Sequence, residues 1–433
     1  MNILILHRIP YRTAEYHRGI DHSRHDVTYF GTEAALATVP AGLRCQKVAR
    51  PGMGSVDDEA RAWLGERPAG FDRVIALAEK DRLEAARLRE WLGVAGPSAE
   101  QVTAARNKIA MKRAVAQAGL KVPRFLPLPD FLALRDAPPW RGKTILKPQS
   151  GAASEDVAVF DSTVAARAAV LGFCSGIPRL DALQAADACG DFEVEEYLEG
   201  PVLHFDGVAI GGRTVALTAS RYLNTCLDYA RGRPLGSMHI PLTDTARRWV
   251  ARALESLALH DGCFHLEAIG HQGELAFLEI DNPVDVAQAV TTFELATDVH
   301  LPSVELKLML GEDPGSAVRR SPEAGAEPRW HGWFAVPGHH LGRSVHAGLG
   351  GIAMFRRSEA VLRWHELPAG APLPERISYQ TQEVPLAGIV ATAGPPQTQA
   401  WIESLFTALR WIPAPAVAAS AADEIDHELH VQA

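Results

Sequence analysis

The sequence lacks the features that mark several large classes of protein. No stretch approaches the roughly 20 consecutive apolar residues of a membrane-spanning helix. Lys and Arg are scattered in a chain whose formal net charge is −9. These patterns predict neither a membrane protein nor a nucleic-acid-binding surface. The initial segment MNILILHRIPY has only a short apolar run, without the longer apolar core and cleavage site of a signal peptide, so we expect a cytoplasmic protein.

Cysteine is scarce, and several well-known binding motifs are missing. No two of the five cysteines stand at C-x-x-C spacing, which argues against a disulfide framework and a zinc knuckle. The P-loop sequence GxxxxGK[ST] is missing, as is GxGxxG followed by a helix. There is also no Met-Lys-Met motif of a biotin carrier. Any phosphate-binding site must therefore be built differently.

What is present is the composition of a globular protein with several domains. Apolar residues make up 47% and charged residues 22% of the 433 residues, enough for two to four domains. Buried strands are predicted at Met1–Leu6, Val27–Phe30 and Val74–Leu77, with a helix over Glu79–Leu92. Strands that alternate with helices predict an α/β unit with a mostly parallel sheet over about residues 1–97.

The rest of the chain reads as an α+β region followed by a smaller β-rich part. Gly96-Pro97-Ser98 breaks the chain, and Ser98 is a good N-cap for one helix from about 99 to 119. Strand-like segments follow at 144–147, 157–160, 192–198, 205–210 and 214–219. The stretch 313–327, rich in Pro, Gly, Ala and charge, predicts a linker. Strands and glycine turns return beyond Trp330, and about 20 frayed residues are expected at the end.

Three acids stand unexpectedly in FHLEAIGHQGELAFLEIDNP, which predicts a β-hairpin: Glu267, Glu279 and Asp281. Acids are poor strand formers and are costly to bury without a partner. A three-residue turn over 271–273 makes Glu267 and Glu279 diagonal neighbours on one face. A two-residue turn puts them on opposite faces. Together the acids fit either a Mg²⁺–nucleotide clamp or an ordinary solvated face.

Two further segments carry candidate nucleotide-binding groups. Lys147 ends an apolar strand in TILKPQSGAASEDVAVF and precedes a loop of small residues, whose backbone N–H groups could approach phosphates: Ser150, Gly151, Ala152, Ala153 and Ser154. Lys-Pro at a strand end is common, so this signal alone is weak. The segment DFEVEEYLEG predicts either an edge strand protected by charge or a strand end whose backbone holds an adenine edge.

The order of these pieces resembles the ATP-grasp superfamily. Lys108 in NKIAMKRAVAQAGLKVP is followed by Lys147 with its loop, then EVEEYLEG, then LEAI…GELAFLEIDNP. The resemblance covers about residues 1–310 and is strongest to carboxylate–amine ligases, including L-amino-acid ligases. It implies a Rossmann-like pre-ATP-grasp domain at 1–97 and an ATP-grasp domain at 98–312 with a lid at about 144–200. A small β-rich C-terminal domain at 328–412 would complete the region before a flexible tail at 413–433.

The resemblance also implies a reaction and roles for residues. ATP phosphorylates a carboxylate, an amine attacks the acylphosphate, and an amide, ADP and phosphate result. Lys108 and Lys147 would contact the phosphates, and the loop 149–156 would act as a lid. The adenine would be held by Glu195 and by the backbone of Glu196, Tyr197 and Leu198. Two Mg²⁺ ions, for which Mn²⁺ can substitute, would be bound by Glu267, Glu279, Asp281 and Asn282.

The sequence departs from the family pattern at three places. Asp281 stands where the family usually has a metal-binding Asn. Pro283 stands where an Arg commonly steadies the acylphosphate, so another Arg must serve or the chemistry is altered; the candidates are Arg221, Arg231 and Arg343. The Glu that often holds the ribose is also missing near Val202, and Asp206 is the candidate replacement.

The same motifs are compatible with other functional hypotheses. The same fold could load an amino acid onto a carrier-protein thiol, or carboxylate a substrate, although the missing biotin-carrier motif disfavours a self-contained carboxylase. A nucleotide-binding protein that has lost turnover would explain the missing Arg, but not the retained lysines and acids. The C-terminal segment GWFAVPGHHLGRSVHAGLGG holds three histidines at a spacing that is not specific for zinc. We expect small-molecule carboxylate and amine substrates, no nucleic acid or membrane partner, and a homodimer as in many proteins of this family.

Overall fold

The computed structural model describes residues 1–65, 70–151, 154–182, 188–282, 288–318 and 329–413. Strands and helices alternate at the start, and antiparallel strands dominate the rest. Within the described residues, no helix combines the length and the apolarity that crossing a membrane requires.

The first unit is a parallel sheet with helices packed against it, as the strand pattern predicts. Its four strands lie in the order β3-β2-β1-β4 and all pairs are parallel: β1 (Asn2–Leu6), β2 (Asp26–Gly31), β3 (Gln46–Ala49) and β4 (Arg73–Ile75). The helices between and after them are α1 (Tyr11–Ala14), α2 (Glu33–Leu36), α3 (Val56–Leu64) and α4 (Arg82–Leu92). Strand β3 escaped the sequence prediction because its residues are mostly exposed and carry no apolar run.

The long helix predicted over 99–119 is in fact two helices. Ser98 caps α5 (Ala99–Arg106) with a capping box, as its residue type predicts. Asn107 then leaves the helical region with φ −84° and ψ 108°, and its side chain caps α6 (Lys108–Gln117). This break makes Lys108 the first residue of a new helix.

A small antiparallel sheet follows. Its strands lie in the order β5-β8-β6-β7: β5 (Phe125–Pro127), β6 (Thr144–Pro148), β7 (Ala158–Phe160) and β8 (Phe192–Glu196). The helices beside it are α7 (Leu128–Ala133), α8 (Thr163–Leu171) and α9 (Pro178–Asp181). One face is covered by the core residues Phe131, Trp140 and Leu146. The opposite face carries the charged side chains described below.

The largest element is an eight-stranded antiparallel sheet. Its order is β13-β12-β9-β10-β11-β14-β17-β16. These strands are β9 (Val202–Ile210), β10 (Arg213–Leu223), β11 (Leu235–Ile240), β12 (Gly262–His271), β13 (Glu274–Asp281), β14 (Trp330–Val336), β16 (Val361–Glu366) and β17 (Leu386–Thr392). A separate pair joins β15 (Leu349–Gly350) to β18 (Arg410–Trp411). The strands after residue 329 therefore continue the sheet that carries the predicted acids.

In the described part of the chain, seven helices accompany this sheet. They are α10 (Cys226–Ala230), α11 (Asp244–Ser256), α12 (Ala289–Thr297), α13 (Leu301–Leu310), α14 (Gly315–Val318), α15 (Ala353–Arg356) and α16 (Pro395–Ala408). Helix α13 joins two parts of the molecule, because Leu306 and Leu310 lie in the core of the N-terminal sheet while Glu305 accepts the Cys263 amide of β12. This contact fixes the N-terminal unit against the edge of the large sheet.

Candidate active site

Within the described residues, the N-terminal sheet unit, the small sheet and the large sheet border a cleft of about 1080 Å³. Ligand pockets usually measure ~300–1,000 Å³, so this space suits a nucleotide together with further substrates. The N-terminal unit contributes Glu79, the small sheet Lys147, and the large sheet Glu267 and Glu279. Residues 372–380 cover the side formed by the C-terminal part of the chain.

The hairpin that carries the acids has a shorter turn than the sequence predicts. His271 pairs directly with Glu274, so the predicted three-residue turn over 271–273 is wrong. A two-residue turn by itself would place Glu267 and Glu279 on opposite faces of the sheet.

A β-bulge restores the arrangement that the turn alone would have destroyed. Ala268 pairs with Phe277, but the next pair is Glu267 with Glu279, so Leu278 is the extra residue. Directly opposed residues of an antiparallel pair point to the same face. Both carboxylates therefore face the cleft, and they are closer neighbours than the predicted diagonal pair.

The carboxylates at this sheet edge crowd one another. The Lys108 Nζ atom lies 2.8 Å from Glu279 Oε2. Burial and the neighbouring Glu279 carboxylate raise the pKa of Asp281 to about 7. Burial works against ionised Glu267 as well, but hydrogen bonds from His265 and Tyr222 outweigh it and lower its pKa.

The donor set at this edge fits a hard divalent cation. Like charges directly opposite each other destabilise a strand pair, and Glu267 and Glu279 are such a pair. The Glu279 carboxylate also adds to the effect of burial in raising the pKa of Asp281, so these two carboxylates repel each other. Mg²⁺ binds one or two carboxylates together with phosphate oxygens and water. Asn282, the remaining predicted ligand, lines the cleft while its Nδ2 atom donates to Glu305 at 2.9 Å.

Lys147 faces the acids from the small sheet. Its Nζ atom lies 2.6 Å from Glu195 Oε1. The other oxygen of Glu195 lies 2.6 Å from the Nζ atom of Lys112. Glu195 was predicted to hold adenine, but both of its oxygens are engaged by ammonium groups. As placed, it balances the charge of the two lysines.

The small-residue loop reaches the cleft in part. Gly151 and Ser154 line the cleft, and the Gly151 carbonyl accepts a 2.7 Å hydrogen bond from the Lys108 side chain. Ser154 has φ +55°, a conformation that is uncommon for residues other than glycine. Ser150 is exposed and is not part of the cleft wall. Ala152 and Ala153 lie outside the described residues.

The strand end predicted to hold adenine has one amide to offer. The Glu196 amide donates to the Arg124 carbonyl and the Tyr197 amide to the Lys143 carbonyl. The Leu198 amide has no acceptor within the described part of the chain. Tyr197 and Leu198 line the cleft, whereas the Glu196 carboxylate pairs with Arg124 outside it.

Asp206, the predicted ribose ligand, lies in a buried hydrogen-bond network. It is buried on β9, where its two oxygens accept 2.7 Å hydrogen bonds from His204 Nδ1 and His265 Nδ1. Burial opposes the charge of Asp206, but the two imidazoles outweigh it and lower its pKa. Asp206 also lies outside the cleft wall, so its placement gives no support to the predicted ribose contact. The side chain instead supports His265, whose Nε2 atom lies 3.3 Å from Glu267 Oε1.

None of the three predicted arginines lines the cleft. Side chains alternate along a strand, and Tyr222 of β10 faces the cleft, so Arg221 points to the other face and bonds Gln399. Arg231 is exposed at the end of α10. Arg343 donates to the Ile412 carbonyl at 3.0 Å. These assignments fail because strand alternation and loop course, not sequence distance, decide which side chain reaches the cleft.

Two other arginines do line the cleft. Arg8 forms a two-pronged salt bridge with Asp81, with Nη2–Oδ1 at 2.6 Å. Arg376 is exposed on the segment that covers the C-terminal side. No sequence motif singles out Arg376, because its place depends on a loop from a distant part of the chain.

Sequence reasoning also missed Lys112 and Glu193. Lys112 follows Lys108 by four residues and so shares its helix face, and Glu193 precedes Glu195 by two and shares its strand face. The Lys112 Nζ atom lies 2.8 Å from Glu193 Oε1. These periodicities were a usable signal, which the apolar residues around them obscured.

The C-terminal histidines lie near one another around Trp411, but within the described residues their ligand atoms do not form a metal-binding group. Among the described residues, His204, Asp206 and His265 are the one group of three metal-binding side chains whose ligand atoms lie within 4.8 Å of one another. His339 instead bonds the Ala230 carbonyl at 3.0 Å.

We compared the sequence with family models and with characterised proteins. No family model matches the chain. The chain is 25% identical over 277 residues to an L-arginine-specific L-amino acid ligase of Bacillus subtilis. That alignment covers 62% of this chain and 63% of the relative, which is less than two thirds of the relative's length.

Solved structures show the fold over nearly the whole chain. An L-amino acid ligase from Bacillus licheniformis matches with a TM-score of 0.67 and 18% identity, over 96% of this chain and 98% of that one. A phosphoribosylglycinamide synthetase from Anaerococcus prevotii matches with a TM-score of 0.61 and 11% identity, over 95% and 99%. The biotin carboxylase domain of a Hydrogenobacter thermophilus 2-oxoglutarate carboxylase, bound to MgADP, matches with a TM-score of 0.59 and 14% identity, over 95% and 90%. The predicted ATP-grasp fold is confirmed.

Proposed function

We propose that the protein is an ATP-dependent ligase that joins the carboxylate of one amino acid to the amine of another. The observation that carries this proposal is the meeting of Lys108, Lys147 and the carboxylates of Glu267, Glu279 and Asp281 in one cleft. The lysines come from a helix and a small sheet, and the acids from the edge of a different sheet. Such a mixture of cations and metal-binding acids suits phosphoryl transfer, which needs positioning and neutralisation of charge more than a protein nucleophile.

The two sets of groups have different roles in this proposal. Lys108 and Lys147 bind the ATP phosphates, and the Leu198 amide donates to the adenine edge. Glu267, Glu279 and Asp281 hold two Mg²⁺ ions, for which Mn²⁺ can substitute. When bound, the ions neutralise charge that develops on the transferred phosphoryl group.

The reaction has two steps. A carboxylate oxygen of the first substrate attacks the γ-phosphorus, the bond to the β–γ bridging oxygen breaks, and ADP leaves. The amine nitrogen of the second substrate attacks the acyl carbon, the C–O bond to phosphate breaks, and the nitrogen loses a proton. The loop over 149–156 keeps water from the acylphosphate. Of the arginines in the cleft wall, Arg376 is the candidate to steady the acylphosphate, because Arg8 already pairs with Asp81.

Amino-acid substrates are supported by two of the named relatives, which are L-amino acid ligases. The cleft wall beside Glu267 adds a preference. Tyr222, whose hydroxyl donates to Glu267 at 2.9 Å, packs in an apolar cluster with Leu235, Trp333 and the partly buried Ile377. These side chains also line the cleft, so at least one substrate should carry an apolar side chain.

The deciding experiment measures phosphate release from Mg·ATP across the twenty amino acids, singly and in pairs, with mass spectrometry of the products. A pair that releases phosphate and yields a dipeptide establishes the reaction. Pairs with one apolar member should be the most active. Release of ADP with no amide product would instead favour a carrier-protein thiol as acceptor. Silence across the panel, with ATP still bound, would contradict the proposal.

A further inference from the structure

Lys112 is a fully buried charge that the proposed reaction does not use directly. Its side chain is 0% exposed, and it lies in the middle of α6, one turn beyond Lys108. Lysine is almost never fully buried unless it is paired. Lys112 does not line the cleft, so it cannot touch a substrate there.

Four charged side chains form what we call the buried quartet: Lys112, Lys147, Glu193 and Glu195. Lys112 Nζ lies 2.8 Å from Glu193 Oε1 and 2.6 Å from Glu195 Oε2. Lys147 Nζ lies 2.6 Å from Glu195 Oε1 and 3.9 Å from Glu193 Oε1. Glu195 therefore stands between two ammonium groups, with one on each oxygen.

The quartet has an inner and an outer half. Lys112 and Glu193 are sealed in the interior, whereas Lys147 and Glu195 line the cleft. Burial opposes the charge of Lys147, but the Glu195 and Glu193 carboxylates outweigh it and raise its pKa. The inner half thus sets how much negative charge surrounds the lysine that faces the cleft.

We propose that Lys112 is a positioning residue for nucleotide binding: it cancels one of the two carboxylate charges around Lys147, which leaves Lys147 available to anionic phosphates. With Lys112 present, two carboxylates and one ammonium face Lys147, and the quartet is neutral. Without it, Lys147 is held by two carboxylates, and the quartet repels the phosphates with a net charge of −1. This inference rests on the proposed function, because it takes the ligand of Lys147 to be a nucleotide.

Two single substitutions separate this role from a purely structural one. Lys112→Met keeps the length of the side chain and removes the charge, and it should weaken Mg·ADP binding about 10-fold or more, since buried charges act through a low dielectric. Glu193→Gln removes a negative charge instead, and it should make Mg·ADP binding several-fold tighter. Both substitutions break buried ion pairs and should lower the melting temperature. Only the positioning role predicts that Mg·ADP affinity changes in opposite directions in the two variants while both melting temperatures fall.

The measurement is calorimetric titration of each intact variant with Mg·ADP, beside its thermal melt. Lys121→Met is the matched control, because Lys121 follows the same helix but is 54% exposed and pairs with the exposed Glu274. The double variant Lys112→Met/Glu193→Gln restores neutrality and should return to within about 3-fold of wild-type affinity, since residues in one ionic network couple.

Each outcome decides the inference. Unchanged affinity in Lys112→Met, or equal or weaker affinity in Glu193→Gln, overturns it. If Lys112→Met does not fold, Glu193→Gln still decides, since tighter binding supports the inference and equal or weaker binding overturns it. If the wild type binds no Mg·ADP at all, the proposed function itself fails and the inference falls with it. Binding by the wild type and equally by Lys112→Met would overturn the inference alone.

Discussion

Two charged clusters face each other across the cleft, and they are balanced differently. In the buried quartet, two lysines meet two glutamates at 2.6–3.9 Å. At the sheet edge, Glu267, Glu279 and Asp281 stand together with the Lys108 ammonium. Burial and, after it, the neighbouring Glu279 carboxylate raise the pKa of Asp281 there. The difference indicates separate roles. The buried quartet, in which the charges balance, can position Lys147, whereas the acid-rich cluster at the sheet edge suits the binding of further cations.

The largest effect should come from the acid-rich side. Glu279→Ala removes a proposed metal ligand from the cleft surface, not a core packing group, so turnover should fall at least ~1,000-fold with an unchanged fold. Phosphate release and the thermal melt measure the two quantities.

Glu274→Ala is the matched control for that variant. Glu274 lies on the same strand but is 79% exposed, and its partner is Lys121 at the surface. It should keep wild-type turnover. Wild-type turnover in Glu279→Ala would contradict the assignment of the hairpin as the metal site.

In the buried quartet, Lys147→Ala should weaken nucleotide binding by about 10- to 100-fold. A hydrogen bond to a charged group contributes ~1.5–3 kcal/mol, and the substitution also leaves Glu195 facing the phosphates. Titration with Mg·ADP measures the loss. Nucleotide affinity equal to that of the wild type would show that Lys147 stabilises the buried quartet but does not contact the nucleotide.

The pH dependence of metal binding should sharpen the contrast between the clusters. The pKa of Asp281 is raised to about 7, so in the folded protein a proton competes with a cation below that pH. From pH 8 down to pH 6, the Mg²⁺ concentration needed for half-maximal ADP binding should rise about 10-fold, as one pH unit below a pKa leaves about a tenth of the group ionised.

Asp281→Asn supplies the control, because it keeps the shape of the side chain and cannot ionise. The titration of the nucleotide itself is common to both proteins, so the difference between them isolates Asp281. The variant should show a flatter pH dependence than the wild type. Identical profiles would remove Asp281 from the metal site.

The smallest effect should come from the rim of the cleft. Arg376→Ala should lower turnover by about 10-fold with little change in nucleotide affinity, since its proposed contact is with the acylphosphate. Arg231→Ala is the control, because that exposed arginine lies outside the cleft wall. Equal turnover in the two variants would show that Arg376 does not replace the arginine that the family commonly has at the position of Pro283.

The sequence carried much of the fold and part of the site. Buried parallel strands, the Ser98 cap and the hairpin with its acids followed from local patterns. The order of lysines, strand end and acids predicted the ATP-grasp fold, which the solved structures confirm. The break at Asn107 was missed because helical periodicity continues across it.

The predictions that the structure does not support share a physical cause, because each depends on contacts that form only in the folded chain. The turn was predicted too long, and the faces came out right only because Leu278 bulges, which no local pattern signals. Asp206 and Arg221 were assigned by residue type, but one is enclosed by two imidazoles and the other points to the far face of the sheet. Lys112 went unnoticed because a charge in a helix usually indicates a solvated face.

By itself, the sequence determined which elements form and which of them carry cations and acids, because helix and strand periodicity act over a few residues. Only the tertiary structure decided which charges meet. Lys112 and Glu193 are 81 residues apart, and their contact at 2.8 Å exists because α6 packs against the small sheet. Charges at such distances along the chain interact only after folding has removed the water and brought them together, so their balance is a property of the folded protein.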